Sequence, residues 1–362
     1  MKNDSTQTDK SMKPSRRRFI IPAVFVVMFF CIVSFYIMLR QEPKPDPASE
    51  KVIREIVAKQ LTKDPNNPKD PKELTDDDFA KITKFNIGQE FSEAIKLSEL
   101  KLLKKFTNLR QLVFYNVIVP DRPVPNWMRF LGKYGIIDIK KKFSIDLSPL
   151  GKLSKLNVIA IEKTPIKSIK PLSKLTNLNV LILQDIKVLD IKPLKNITNL
   201  QRLTLRTLNT SDIEAISSLT NLTSLTLNNI KISDIKPLKN ITNLQHLELR
   251  KLNISDIEAV SSLRNLEELY LSSLNVSDIE PLKNLNNLKI LSLIQTQASD
   301  FEPLEGLQKL QELNLNLTKL SNLEPLNKLK SLKRLSIRNN ENVSDEQIKD
   351  LRNALPELKI SR

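Results

Sequence analysis

The chain has 362 residues, with one histidine and one cysteine among them. On those counts a Cys/His zinc site, a disulfide framework and a Cys–His nucleophilic pair are excluded. His246 has no thiol to partner it and reads as a solvent-facing residue on a strand. Only five glycines are present, which argues against a phosphate-cradling loop or a dinucleotide fingerprint. One set of side chains invites a metal reading: Asp190, Asp212, Asp234, Asp256, Asp278 and Asp300 recur at one fixed spacing. An aspartate ahead of a turn also accepts backbone N–H bonds, and the row is read as turn structure. No catalytic residue, metal site or cofactor is therefore expected. What remains is contact chemistry. Arg202, Arg206, His246, Glu248, Arg250, Lys251, Glu268 and Tyr270 bring together a basic patch, two carboxylates and an aromatic ring. Arginine and tyrosine are favoured anchors of binding surfaces. Val180, Ile182, Ile290 and Ile294 add apolar spots beside them.

A repeat must position these residues. Leucines stand at 156, 178, 200, 222, 244, 266, 288, 310 and 332, always 22 apart. A fixed period of this length marks a solenoid. The alternation Leu203-x-Leu205 is a short strand with its leucines inward. The later apolar positions Leu208, Ile213, Ile216 and Leu219 suit tight turns and short 3₁₀ pieces that return the chain. One coil cannot bury its own apolar face, so stability belongs to the stack, and successive strands must be parallel. Strand alternation then turns Arg202, His246 and Glu268 outward in one row, Glu248 and Tyr270 in the next, and Arg206 and Arg250 in a third. The segment Ile191–Gln201 recurs unchanged at Ile235–Gln245, which reads as tandem duplication.

These residues resemble the bacterial internalin-like leucine-rich repeat, a class with this same period. The resemblance is carried by the L-x-x-L-x-L strand and by Asp190-Ile191-Lys192-Pro193-Leu194, Asp234-Ile235-Lys236-Pro237-Leu238 and Asp278-Ile279-Glu280-Pro281-Leu282. Weaker units fit upstream at Ile82/Phe85/Ile87, Leu109/Leu112/Phe114 and Tyr134/Ile137/Ile139. The segment 120–133, with the only tryptophan, Trp127, interrupts the rhythm by about three positions and is read as a packed bulge. The resemblance implies an α/β leucine-rich repeat solenoid, a curved horseshoe with a parallel β-sheet on its concave face, 3₁₀ and turn segments on its convex face, and helical caps. One departure stands out. The family's asparagine after the strand is replaced by Thr164, Ile186, Leu208, Ile230, Leu252, Leu274, Thr296 and Thr318, returning only at Asn340. Those turns need another source of hydrogen bonds.

The ends read differently. Phe19 to Leu39 is an uncharged run long enough to cross a bilayer as a helix, behind Arg16, Arg17 and Arg18. It is longer than the apolar core of a cleaved signal peptide and lacks a small-residue cleavage site. The expectation is a single-pass membrane protein with a signal anchor, a cytoplasmic basic tail over 1–18, a span over 19–39 and a proline-rich stalk over 40–48. An amphipathic helical cap follows over 49–81, covering the open end of the repeats or lying on the bilayer. The repeats run over 82–343 and a C-terminal cap over 344–362, where Ser344 and Gln347 have capping-box spacing. Thr75, ahead of three aspartates, reads as a helix cap. The repeat domain would then lie outside the cytoplasm, in the periplasm or beyond.

The functional expectation is a membrane-anchored, non-catalytic module that presents its concave face to a protein partner, by analogy with the fold. The alternative is a basic surface protein that binds an anionic envelope polymer, given a formal net charge of +16. Nucleic acid is not expected as a partner.

Overall fold

The computed structural model describes residues 47–61, 70–87, 102–116, 144–188 and 190–362, with side chains from Ile53 onward. Twelve parallel strands form one open sheet in chain order. The first six are β1 (Lys84–Ile87), β2 (Gln111–Tyr115), β3 (Val158–Glu162), β4 (Val180–Gln184), β5 (Arg202–Arg206) and β6 (Ser224–Asn228). The others are β7 (His246–Arg250), β8 (Glu268–Ser272), β9 (Ile290–Ser292), β10 (Glu312–Asn314), β11 (Arg334–Ser336) and β12 (Lys359–Ser361). From β3 to β11 the register advances by one full repeat per strand, as in Leu203↔Leu225 and Leu225↔Leu247. A 3₁₀ segment follows most strands, such as Lys192–Asn196 after β4 and Lys236–Asn240 after β6. This architecture fits a horseshoe leucine-rich repeat solenoid.

The core is a file of aliphatic side chains, one set per coil. Leu178, Leu200 and Leu222 are fully buried, as are Leu181, Leu203 and Leu225 on the neighbouring position. Strand alternation is visible in burial: β4 reads half-buried, buried, half-buried, buried, half-buried. Buried aromatics cluster in the first coils, where Phe79 and Phe85 pack on Phe106 at 5.3 and 4.9 Å between ring centroids. The helix Pro47–Leu61 takes in the last two residues of the expected stalk. It buries Ile53, Ile56 and Val57 in the same core, at the i, i+3, i+4 spacing of one helical face. Arg54 ties it down by donating to the carbonyls of Pro71 and Leu74. Thr75 and Asp78 form a reciprocal capping box at Asp76–Ala80. At the far end Ser344 and Gln347 do the same for Asp345–Ala354, and β12 closes the sheet against β11.

Two expectations are corrected. β2 pairs directly with β3, Gln111 against Val158 and Phe114 against Ile161. The Arg110 carbonyl accepts the N–H groups of Asn157 and Val158, so Leu109 and Leu156 hold equivalent places in adjacent coils. A strand has two edges, and both edges of β2 are taken by β1 and β3, so the rung expected at Tyr134/Ile137/Ile139 does not stand between them. Leu109 and Leu156, one coil apart in the structure, stand 47 positions apart in the chain instead of 22. That rung, Trp127 and the bulge 120–133 lie outside the described residues.

The second correction concerns the membrane. Among the described residues no helix is long and apolar enough to cross one. The longest, Pro47–Leu61, has 15 residues, where a span needs about 20 apolar ones, and Arg54, Glu55 and Lys59 interrupt it. The placement as a single-pass membrane protein, N-terminus in the cytoplasm and repeats outside, is overturned by that finding. Phe19 to Leu39, which carried it, lies outside the described residues, as does the basic tail.

Candidate binding face

The eight residues singled out from sequence fall on or beside β5, β7 and β8. Register fixes their neighbours: Arg206 pairs with Asn228 and Asn228 with Arg250, while Glu248 pairs with Tyr270. Two strand spacings separate Arg206 from Arg250, roughly 10 Å. Glu248 lies between them. Its Oε2 is 3.6 Å from Arg206 Nη2 and its Oε1 3.4 Å from Arg250 Nη1. The Glu248 side chain is 15% exposed, against 40% and 49% for the arginines. One sheltered carboxylate therefore holds two guanidinium groups that would otherwise repel, and leaves their outer faces open.

A second group joins it along the sheet. His246 Nδ1 is 3.0 Å from Glu268 Oε2, and the Tyr270 hydroxyl donates to the same oxygen at 3.2 Å. The two rings lie 5.4 Å apart, tilted by 45°. Burial, then the charge of Glu268, pushes the Tyr270 phenol above its ordinary pKa, so it stays a neutral donor. Arg202 and Lys251 stand apart, forming no hydrogen bond or ion pair with the six. Arg202 opens β5 in the outer row, and Lys251 occupies the turn after β7 with φ 50°. Beyond Tyr270 the concave face adds apolar side chains, beside the Arg334–Glu312 ion pair. Tyr270, Ile290 and Ile294 line an open depression of about 470 Å³ that continues to Ile360. Val180 and Ile182, upstream, are half-buried.

The aspartate row is turn structure. Asp190, Asp212, Asp234, Asp256, Asp278 and Asp300 each accept the N–H two residues on, at 2.7–2.9 Å. Among the described residues no group of three or more His, Cys, Asp or Glu is placed to hold a metal ion.

The missing asparagine row is compensated twice. After each strand from β2 to β11 one residue takes a positive φ, among them Asp185, Thr207, Asn229 and Lys251. Its N–H then donates to the last carbonyl of the next strand, as from Thr207 to Asn228 and from Asn229 to Arg250. The second device is one that reading the sequence misses. Asn177, Asn199, Asn221, Asn243, Asn265 and Asn287 each donate a side-chain N–H to the carbonyl of the residue 23 positions earlier. Its signal is the dipeptide Asn-Leu before each strand from β4 to β9, in which the leucine draws attention from the asparagine. Where the family's asparagine returns, Asn340 donates to the carbonyls of Leu315 and Ile337.

Comparison with known proteins agrees with this geometry. A family model described as leucine-rich repeats in two copies matches residues 242–284. No curated protein sequence matches the chain. Among solved structures, the internalin InlF of Listeria monocytogenes is similar at 24% identity and a TM-score of 0.61, over 88% of this chain and 95% of that one. Internalin C2 of the same organism shows 30% identity and a TM-score of 0.50, over 51% of this chain and 82% of its own. The functional domain of its InlJ, whose structure includes a cysteine ladder, shows 18% identity and a TM-score of 0.60, over 87% and 59%. Fold and repeat together define a leucine-rich repeat solenoid. Within that class the chain is an internalin-like leucine-rich repeat protein.

Proposed function

We propose that the chain is a non-catalytic protein-binding module that takes its partner on the concave face between β5 and β9. The observation that carries the reading is the Glu248 clamp. It fixes Arg206 and Arg250 in place before any partner arrives, so less side-chain entropy is lost on binding. Glu268 does the same for His246 and Tyr270. Pre-set arginines and a tyrosine next to the apolar Ile290/Ile294 depression make a mixed surface of the kind that concentrates binding energy. Solenoids use such faces for extended contacts.

The test is affinity capture with the full chain carrying Arg206→Glu/Arg250→Glu, and separately Tyr270→Ala, followed by binding measurements on any partner recovered. Each variant is expected to weaken the complex by about 2 kcal/mol or more, the range of interface anchors. A partner held equally well by both variants, each folded by its melting curve, would remove this face as the contact site.

A further inference from the structure

The convex side carries a second feature that concave binding does not use. Its 3₁₀ segments are Ser148–Lys152, Lys170–Lys174 and Lys192–Asn196 in the early coils. They present Lys152, Lys170, Lys174, Lys192 and Lys195, all exposed and none in an ion pair among the described residues. Lys167 and Lys187 flank them in the same condition. Over residues 144–196 nine basic side chains face four acids. Two of those acids, Asp146 and Asp190, are spent on the backbone N–H groups of Ser148 and Lys192. Further along the charge inverts. The 3₁₀ segments begin with Glu258, Glu280, Glu302 and Glu324, and three lysines there are paired: Lys283 with Glu280, Lys289 with Glu267, Lys328 with Glu305.

Stability does not account for the early lysines. Lys170 and Lys192 occupy the same position of adjacent coils, as do Lys152 and Lys174, and like charges stacked across neighbouring strands or coils cost stability. A glutamate in either row would relieve them, as one does downstream. A ligand that supplies the missing negative charge resolves the imbalance.

We propose that the convex face over residues 148–196 binds a flexible, linear phosphate polymer without bases, as a second site separate from the concave face. Lysine suits this ligand: it meets phosphate as a point charge, with no fixed orientation. Single-stranded nucleic acid would call for aromatic platforms between the charges, and the patch has none. A bilayer would call for apolar anchors, whereas the exposed large apolar side chains among the described residues are Tyr115 and Leu317, neither in the patch.

The test titrates the full chain with inorganic polyphosphate and, at matched charge, with an oligouridylate and with vesicles containing anionic lipid. The patch variant is Lys170→Glu/Lys174→Glu/Lys192→Glu/Lys195→Glu; the control is Lys283→Glu/Lys289→Glu/Lys328→Glu, which removes paired lysines. Polyphosphate is expected to bind with a steep salt dependence. The patch variant should lose on the order of a hundredfold in affinity, with a slope of log K against log salt shallower by about 3, while the control loses less than about threefold. Acetylation footprinting of the unmutated chain gives a readout that needs no variant: polyphosphate should protect Lys170, Lys174, Lys192 and Lys195. Equal loss in patch and control variants would overturn the proposal, as would unprotected lysines or tighter binding to the oligouridylate or the vesicles. The concave partner should be held unchanged by the patch variant, so the two sites fail independently.

Discussion

Ten non-glycine residues among those described sit at φ between 47° and 60°, one at the end of each strand from β2 to β11. That region costs an ordinary L-residue roughly 1–2 kcal/mol, and a β-branched one is worst placed there. Thr207, exposed and at φ 53°, is the only β-branched member of the set. Asparagine tolerates the same backbone, as Asn229 does one coil on. Thr207→Asn is therefore expected to stabilise the chain by about 0.5–1 kcal/mol, read as a higher urea midpoint at unchanged slope. A second residue-scale effect is acid sensitivity. The Ser148 hydroxyl, then its N–H and the charge of Lys167, hold the Asp146 carboxyl below its usual range against an opposing burial cost. A depressed folded pKa contributes stability that is fully present above the unfolded value, about 3.9, and lost as pH falls through the folded value. Asp146→Asn keeps the turn, since Asn322 makes the same bond to Glu324, but removes the titration. Its melting temperature should fall less steeply than that of the unmutated chain between about pH 5 and pH 2.5; parallel curves would show that this carboxylate does not contribute.

At the scale of the coil, the asparagine column takes over bonding that the family assigns to the far side of the strand. Asn221 donates to the Thr198 carbonyl at 2.9 Å from an exposed position. Asn221→Ala should cost about 1 kcal/mol, the net value of one such bond, measured by chemical denaturation; Asn221→Asp, which cannot donate, should cost at least as much. This column shows what the sequence could and could not tell. Burial follows period alone, so the inward leucines, the strand alternation and the aspartate turns were legible from spacing. The asparagine's role depends on which carbonyl of the preceding coil comes within its reach, and that is set by coil pitch. The β2–β3 pairing was illegible for a similar reason: Tyr134, Ile137 and Ile139 satisfy the apolar pattern, yet pattern does not say whether a strand edge is free to receive them. The eight site residues follow from alternation on the strands. Their grouping into a Glu248 clamp and a Glu268 bridge required side-chain reach, and the same reach left Arg202 and Lys251 outside.

Across the whole molecule, each coil leans only on its neighbours, so the array should tolerate the loss of one complete unit and reject the loss of part of one. Residues 214–235 make up a full period. Their removal joins Ile213 to Lys236, and since Ile213 and Ile235 precede equivalent 3₁₀ segments, the new junction reproduces an existing one. β6 disappears, and β5 can pair with β7 in the register it used with β6, Leu203 against Leu247 and Leu205 against Leu249. The inward file of leucines closes without a gap. The shortened chain is expected to fold with the same circular-dichroism shape and a cooperative melt only a few degrees lower. Removing 214–224 instead shifts the following coil by half a period. Polar side chains would then meet the core, where an unpaired buried polar group costs about 1–3 kcal/mol, several times over; this chain should fail to fold. The pair decides between nearest-neighbour stacking and a globule stabilised as one body: in a globule both deletions would be ruinous, since neither respects a shared core. The full-period deletion also places Arg206 directly beside Arg250, with Glu248 against Thr204. Partner binding should drop although the fold persists, which separates the site from the scaffold that carries it.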